Sequence, residues 1–263
     1  MTDVVEFKAV GRIGWVFLNR PEKLNAINDE LIAALTNAIT ELDNNSEVGS
    51  LVLAGRGRAF SSGGDLADFA VGDERGFEAT VRRLMDLAGL FRACTKPIIA
   101  AVHGYALAGG FELAVNCDIR IASSDAVFGL PDTPLGLSPT SGMTYQLPRI
   151  IGLGRALHLT LLGENISAIE AQKIGLVTKV VAPEALLKEA GDIAEKIASF
   201  PKIGVKLTKQ TYYAVLDSDF ESARKMELKA EIACFATPEV REQLNRFLRR
   251  PRSKRRLEDA DKM

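Results

Sequence analysis

Two carboxylic acids and two glycine-rich turns carry the chemistry open to this chain of 263 residues. The first turn is Ala59-Phe60-Ser61-Ser62-Gly63-Gly64-Asp65-Leu66, between a short apolar run and a helical stretch. Adjacent glycines let a ligand approach the backbone, and their amides can point into a cavity as donors to an oxyanion or a phosphate. The second turn is His103-Gly104-Tyr105-Ala106-Leu107-Ala108-Gly109-Gly110-Phe111-Glu112-Leu113. Gly109 starts a helix there, where amides lack an intrahelical partner and the dipole favours negative charge. Glu112 falls in the first turn of that helix. A third segment, Phe128-Gly129-Leu130-Pro131-Asp132-Thr133-Pro134-Leu135-Gly136, fixes Asp132 between two prolines. Taken singly, each has an ordinary explanation: a loop before a helix capped by Asp65, a surface acid complementing a dipole, an aspartate in a turn.

Other chemistries find little support. Ser61 and Ser62 have no histidine at hand for a nucleophilic triad. His103 and His158 lack cysteine or carboxylate neighbours at ligand spacing, so no metal site is expected. Three scattered cysteines, Cys94, Cys117 and Cys234, make no CxxC and no disulfide framework, which points to a reducing compartment.

The elements that must hold these residues follow from periodicity. Gly14 to Leu18 reads as a buried strand, and Ile27, Leu31, Leu35, Ile39 and Leu42 recur at helical spacing with Asn28 as cap. Ser50 to Ala54 and Ile98 to Val102 are short apolar strands, with a charged helical stretch over about 73–93 between them. Asp118 to Ala122 alternates polar and apolar residues as a half-exposed strand does. This order of strands and crossovers predicts an α/β architecture. Ser167-Ala168-Ile169-Glu170 is a capping box for a short helix closed by Gly175, and Leu176 to Val181 reads as a last strand. Helices then dominate, over about 184–199, 202–217, 220–235 and 238–249. We divide the chain into an α/β core, 1–200, and a C-terminal helical region, 201–263, with a basic tail from Arg249.

A net charge of −1 supplies no field to recruit nucleic acid or an anionic membrane. Apolar runs are too short to span a bilayer, and no secretory or organellar leader is visible, so a cytoplasmic location is expected.

Together the three segments resemble the crotonase superfamily of enoyl-CoA hydratases and isomerases. The resemblance starts at Val16-Phe17-Leu18-Asn19-Arg20-Pro21-Glu22-Lys23-Leu24-Asn25-Ala26 and extends to Phe247. It implies a crotonase-like core of strand-strand-helix units, with C-terminal helices that cover the site or join subunits of a homotrimer or homohexamer. It implies an oxyanion hole made by the amides of Gly64 and Gly109, which hold the thioester oxygen of an acyl-coenzyme A. Lys23, Ala26, Gly64, Asp65, Leu66, Ala67 and Gly109 would line the coenzyme A site, and Arg249 could meet its phosphates. Coenzyme A arrives as part of the substrate, and no separate cofactor is implied.

Within such a family the acids select the reaction. Hydratases of this kind use a helix glutamate and a turn acid, here Glu112 and Asp132, as the catalytic pair. Their usual turn acid is glutamate, so Asp132 is a departure that retracts the carboxylate by roughly 1.3 Å, and a misplacement of about 1 Å can cost 10²-fold in rate. Isomerases carry an acid where this chain has Thr140, although Ser138-Pro139 and Tyr145 otherwise look isomerase-like. Isomerisation, acyl-CoA hydrolysis or decarboxylation is the enzymatic alternative. A non-catalytic or RNA-binding relative is the remote one, suggested by the basic tail alone.

Overall fold

The computed structural model describes residues 3–67 and 73–249. Its chain divides into two units, one ending at Ser199 and one beginning at Phe200.

The first unit is built on a six-stranded sheet. Its strands are β1 (Val5–Val10), β2 (Ile13–Leu18), β3 (Ser50–Gly55), β4 (Ile98–Val102), β6 (Ile119–Ser123) and β9 (Lys179–Val181), adjacent in that order. β1 and β2 form an antiparallel hairpin, and every later pairing is parallel. Period-two alternation sorts the side chains of the central strands between two cores. On one face, Val16, Leu18, Leu51, Leu53, Ile98 and Ala100 meet helix α1 (Asp29–Asn44) through Leu31, Leu35, Ile39 and Leu42. On the other, Phe17, Val52, Ile99 and Ile121 meet α7 (Leu186–Ala198) through Leu186, Ala190 and Ala194. Asn28 caps α1 as expected, accepting from the Leu31 amide at 3.0 Å.

A second, three-stranded sheet pairs β5 (Tyr105–Leu107) with β7 (Val127–Gly129), and β7 with β8 (Ile166–Ser167). These short strands bracket α3 (Gly109–Asn116), which bears Glu112. Between β3 and β4 runs α2 (Glu74–Ala93); α4 (Met143–Ile151), α5 (Leu153–Leu162) and α6 (Ala168–Lys173) follow β7. The second unit contains α8 (Lys202–Val215), α9 (Phe220–Phe235) and α10 (Pro238–Arg249). No described helix is long and apolar enough to cross a membrane.

Two readings of the sequence are corrected. β6 is not half exposed: Arg120 is buried, with its guanidinium donating to the carbonyls of Leu176, Ala114, Val115 and Cys117. The guanidinium fork thus supplies donors to carbonyls at the C-terminal end of α3, where intrahelical donors run out. The final strand is also shorter than the run Leu176–Val181, because Leu176 and Val177 turn into the core before Lys179 joins the sheet. The basic tail expected beyond Arg249 lies outside the described residues.

Candidate active site

The two glycine-rich turns meet edge to edge. Ser61 pairs with the second sheet: its amide donates to Tyr105 O (2.9 Å) and its carbonyl accepts from the Leu107 amide (3.0 Å). Gly63 has φ +96° and sits so close that a side chain there would fall 2.7 Å from Leu107 O and 3.2 Å from the Gly109 nitrogen. A methyl group on Gly109 would stand 3.6 Å from the Gly64 nitrogen. The Gly64 and Gly109 amides are therefore neighbours across a narrow notch. Among the described residues neither donates to another backbone carbonyl or side chain.

Backbone strain helps aim the second amide. Ala108 adopts φ 45°, ψ −124°, a conformation that residues with a Cβ rarely occupy. Its amide donates a hydrogen bond to Gly129 O (2.9 Å), and its carbonyl accepts from the Glu112 amide.

The loop of the coenzyme-site candidates Lys23 and Ala26 is tied to the first turn by polar residues that sequence reasoning passed over. Asn25 is fully buried, and its side chain donates to Arg56 O and Ala59 O while accepting from the Arg20 amide. Ser61 Oγ donates to Asn25 O and accepts from the Gly63 amide. Arg20 donates to Ala26 O (2.5 Å) and to Asp65 Oδ2 (3.1 Å), pairing with a carboxylate that is itself buried. The Ile27 amide donates to Gly63 O and the Asp65 amide to Ile27 O, so Gly64 lies between two fixed points. Lys23, Leu66 and Ala67 remain exposed and Ala26 is buried. Arg249 belongs to the second unit, exposed at the end of α10. Three signals were available: an asparagine inside an apolar stretch, and one arginine and one aspartate on opposite sides of it.

Glu112 is no surface acid; only 3% of it is exposed. Its carboxylate accepts from the Thr140 amide (Oε1, 2.6 Å) and the Thr140 hydroxyl (Oε2, 3.1 Å), and the Ser141 hydroxyl bonds it as well. Burial raises its proton affinity, those donors oppose the rise, and the charge of Asp132 adds to it. Asp132 opens the one-turn 3-10 helix Thr133–Leu135, with its carbonyl accepting from Leu135 and Leu137. Its Oδ2 is buried without a hydrogen-bond partner, and burial pushes its carboxyl above the ordinary range. Two protonatable groups, electrostatically coupled and short of compensating charge, form a pair suited to moving protons.

Comparison with known proteins bears on what the pair does. A sequence family described as enoyl-CoA hydratase/isomerase matches residues 9–255. A short-chain-enoyl-CoA hydratase of Clostridium acetobutylicum is 38% identical, covering 94% of each chain. A probable mitochondrial enoyl-CoA hydratase of Dictyostelium discoideum is 40% identical over 90% of this chain and 85% of its own. Among solved structures, an enoyl-CoA hydratase from Bacillus anthracis superposes with a TM-score of 0.90 at 34% identity, covering 93% of this chain and 95% of that one.

Proposed function

We infer that this chain, which belongs to the enoyl-CoA hydratase/isomerase family, is an enoyl-CoA hydratase that adds water across the 2,3 double bond of an enoyl-CoA thioester. One observation carries the reading: a buried carboxyl, Glu112, and a half-buried one, Asp132, whose charge acts on it, on a chain with two unpaired amides beside one notch.

The chemistry needs both parts. Water is a poor nucleophile, so Glu112 takes its proton as oxygen bonds to the β carbon. The π electrons shift onto the thioester oxygen, giving an enolate. The amides of Gly64 and Gly109 hold that charge, each contributing on the order of 3–4 kcal/mol to the transition state. Asp132, whose proton affinity is raised by burial, delivers a proton to the α carbon and is reprotonated from Glu112. Coenzyme A enters as part of the substrate, along Lys23, Ala26, Asp65, Leu66 and Ala67, and the reaction asks for no separate cofactor. Thr140 offers no acid for the double-bond shift of an isomerase, so hydration suits these residues better.

The protein is read as a homotrimer or homohexamer working in the cytoplasm. Purified protein incubated with short, medium and aromatic 2-enoyl-CoAs should bleach the absorbance of the conjugated thioester and yield 3-hydroxyacyl-CoA. Binding of acyl-CoA without hydration of any member of that panel sinks the hydratase reading.

A further inference from the structure

Glu112 is gripped by a loop from another element more closely than by its own helix. Thr140 contributes two donors, one to each carboxylate oxygen, at 2.6 and 3.1 Å. The tip that bears them is itself locked. Ser141, buried, holds φ +51°, and the Met143 amide donates to Thr140 O at 2.8 Å. Asn116, one turn beyond Glu112 on α3, donates both to Glu112 O (2.8 Å) and to Ser141 O (3.0 Å). Gln146 of α4 donates to Asn116 Oδ1 and fixes its amide. A strained backbone with this many ties is the mark of a geometry held for use.

We propose that Thr140 is a positioning residue for the hydration step, its amide and hydroxyl together fixing both Glu112 oxygens so that the ionised carboxylate faces the water it deprotonates. The proposal rests on the hydratase reading. It explains how a carboxylate so deeply buried can serve as a base. Asp132 is the titratable group whose charge acts on Glu112, and it favours the protonated form, as does burial. No cation forms a salt bridge with Glu112 among the described residues. Hydrogen bonds to the charged form therefore supply the opposing bias, and Thr140 gives two of them. The hydroxyl is the part that depends on residue type, since any residue but proline brings the amide.

Thr140→Val keeps shape and amide while removing the hydroxyl; Thr140→Ser keeps the hydroxyl. On crotonyl-CoA, kcat of Thr140→Val should fall on the order of tenfold with KM little changed, because the lost bond orients a reacting group rather than the substrate. The acid limb of its pH profile should move to higher pH, and Thr140→Ser should recover most of both effects. A substrate-free readout runs alongside: the infrared titration of the Glu112 carboxyl, assigned by its loss in Glu112→Gln, should shift upward in Thr140→Val and return in Thr140→Ser. Thr140→Ala serves the same comparison if the valine variant does not fold. An unmoved titration in the hydroxyl-free variants, or a serine variant as impaired as valine, overturns the proposal. If the native protein hydrates no enoyl-CoA, the hydratase reading fails, while the infrared titration still judges the grip on Glu112.

Discussion

Burial raises the proton affinity of both Glu112 and Asp132, and Asp132 also keeps one carboxylate oxygen unbonded. Such groups bind protons in the folded chain at pH values where the unfolded chain has released them. The native state then holds more protons than the unfolded one, and stability falls as pH rises from the ordinary carboxylate range through the raised folded values. Asp132→Asn removes that cost. It should melt higher than the native protein at neutral pH, by on the order of 1 kcal/mol. The gain should shrink toward zero as the pH is lowered to the ordinary carboxylate range. A melting difference independent of pH would mean that Asp132 is ionised and satisfied in solution. Glu112→Gln should lower hydration by at least 10²-fold while acyl-CoA binding, followed by calorimetry, is kept. Asp132→Glu restores the carboxylate length usual in hydratases. A large gain in rate would mark the native aspartate as tuned to a different substrate or reaction.

At the level of elements, two adjacent glycines of α3 do different jobs, and substitution separates them. Gly109 has an ordinary φ, so alanine fits its backbone; the added methyl would stand 3.3 Å from Ile27 Cδ1 and 3.6 Å from the Gly64 nitrogen, in the notch itself. Gly109→Ala should fold with a melting temperature close to native and lose about 10²-fold in kcat/KM. Gly110 faces the other way: a Cβ there would meet Ser61 O at 2.3 Å. Gly110→Ala should cost about 1–3 kcal/mol in stability through overpacking, read by denaturant titration. Equal stability of the two variants would mean that the packing around Ser61 is softer than these contacts imply. Glycine pairs and the helix start were legible in the sequence because both signals are local. The ties among Arg20, Asn25, Ser61 and Asp65 were not, since each joins residues distant in the chain. Arg120 misled for a different reason: alternation predicts exposure, but its guanidinium turns back onto carbonyls at the end of the preceding helix. β1 was missed although Val5, Phe7 and Ala9 alternate with Glu6 and Lys8, a period-two signal that a search for apolar runs passes over.

For the whole molecule, the sequence announced amphipathic helices beyond residue 200 but not the surfaces they need. None of the residues of α9 or α10 is buried, and Phe220, Leu228, Ile232 and Phe235 are each more than half exposed. In the first unit, Leu153, Leu157 and Leu161 recur every four residues on α5 and also face outward. Exposed apolar side chains repeated along a helix mark faces suited to contact with another surface. A helical pattern can show that a face must be covered; the identity of the covering surface is a property of the assembly and has no local signature. The homotrimer or homohexamer expected from the family supplies such surfaces. Sedimentation at micromolar concentration should therefore give three or six times the 28.5 kDa chain mass. Replacing Ile232, 60% exposed on α9, by aspartate tests what that face is for. A charge on a solvated face changes stability by only a few tenths of a kcal/mol, whereas the same charge in a closed interface lacks a partner and costs several. Ile232→Asp should thus shift sedimentation toward smaller species while helix content stays the same. A native protein that sediments as a monomer, or an Ile232→Asp variant with unchanged assembly, would remove α9 from the subunit contact.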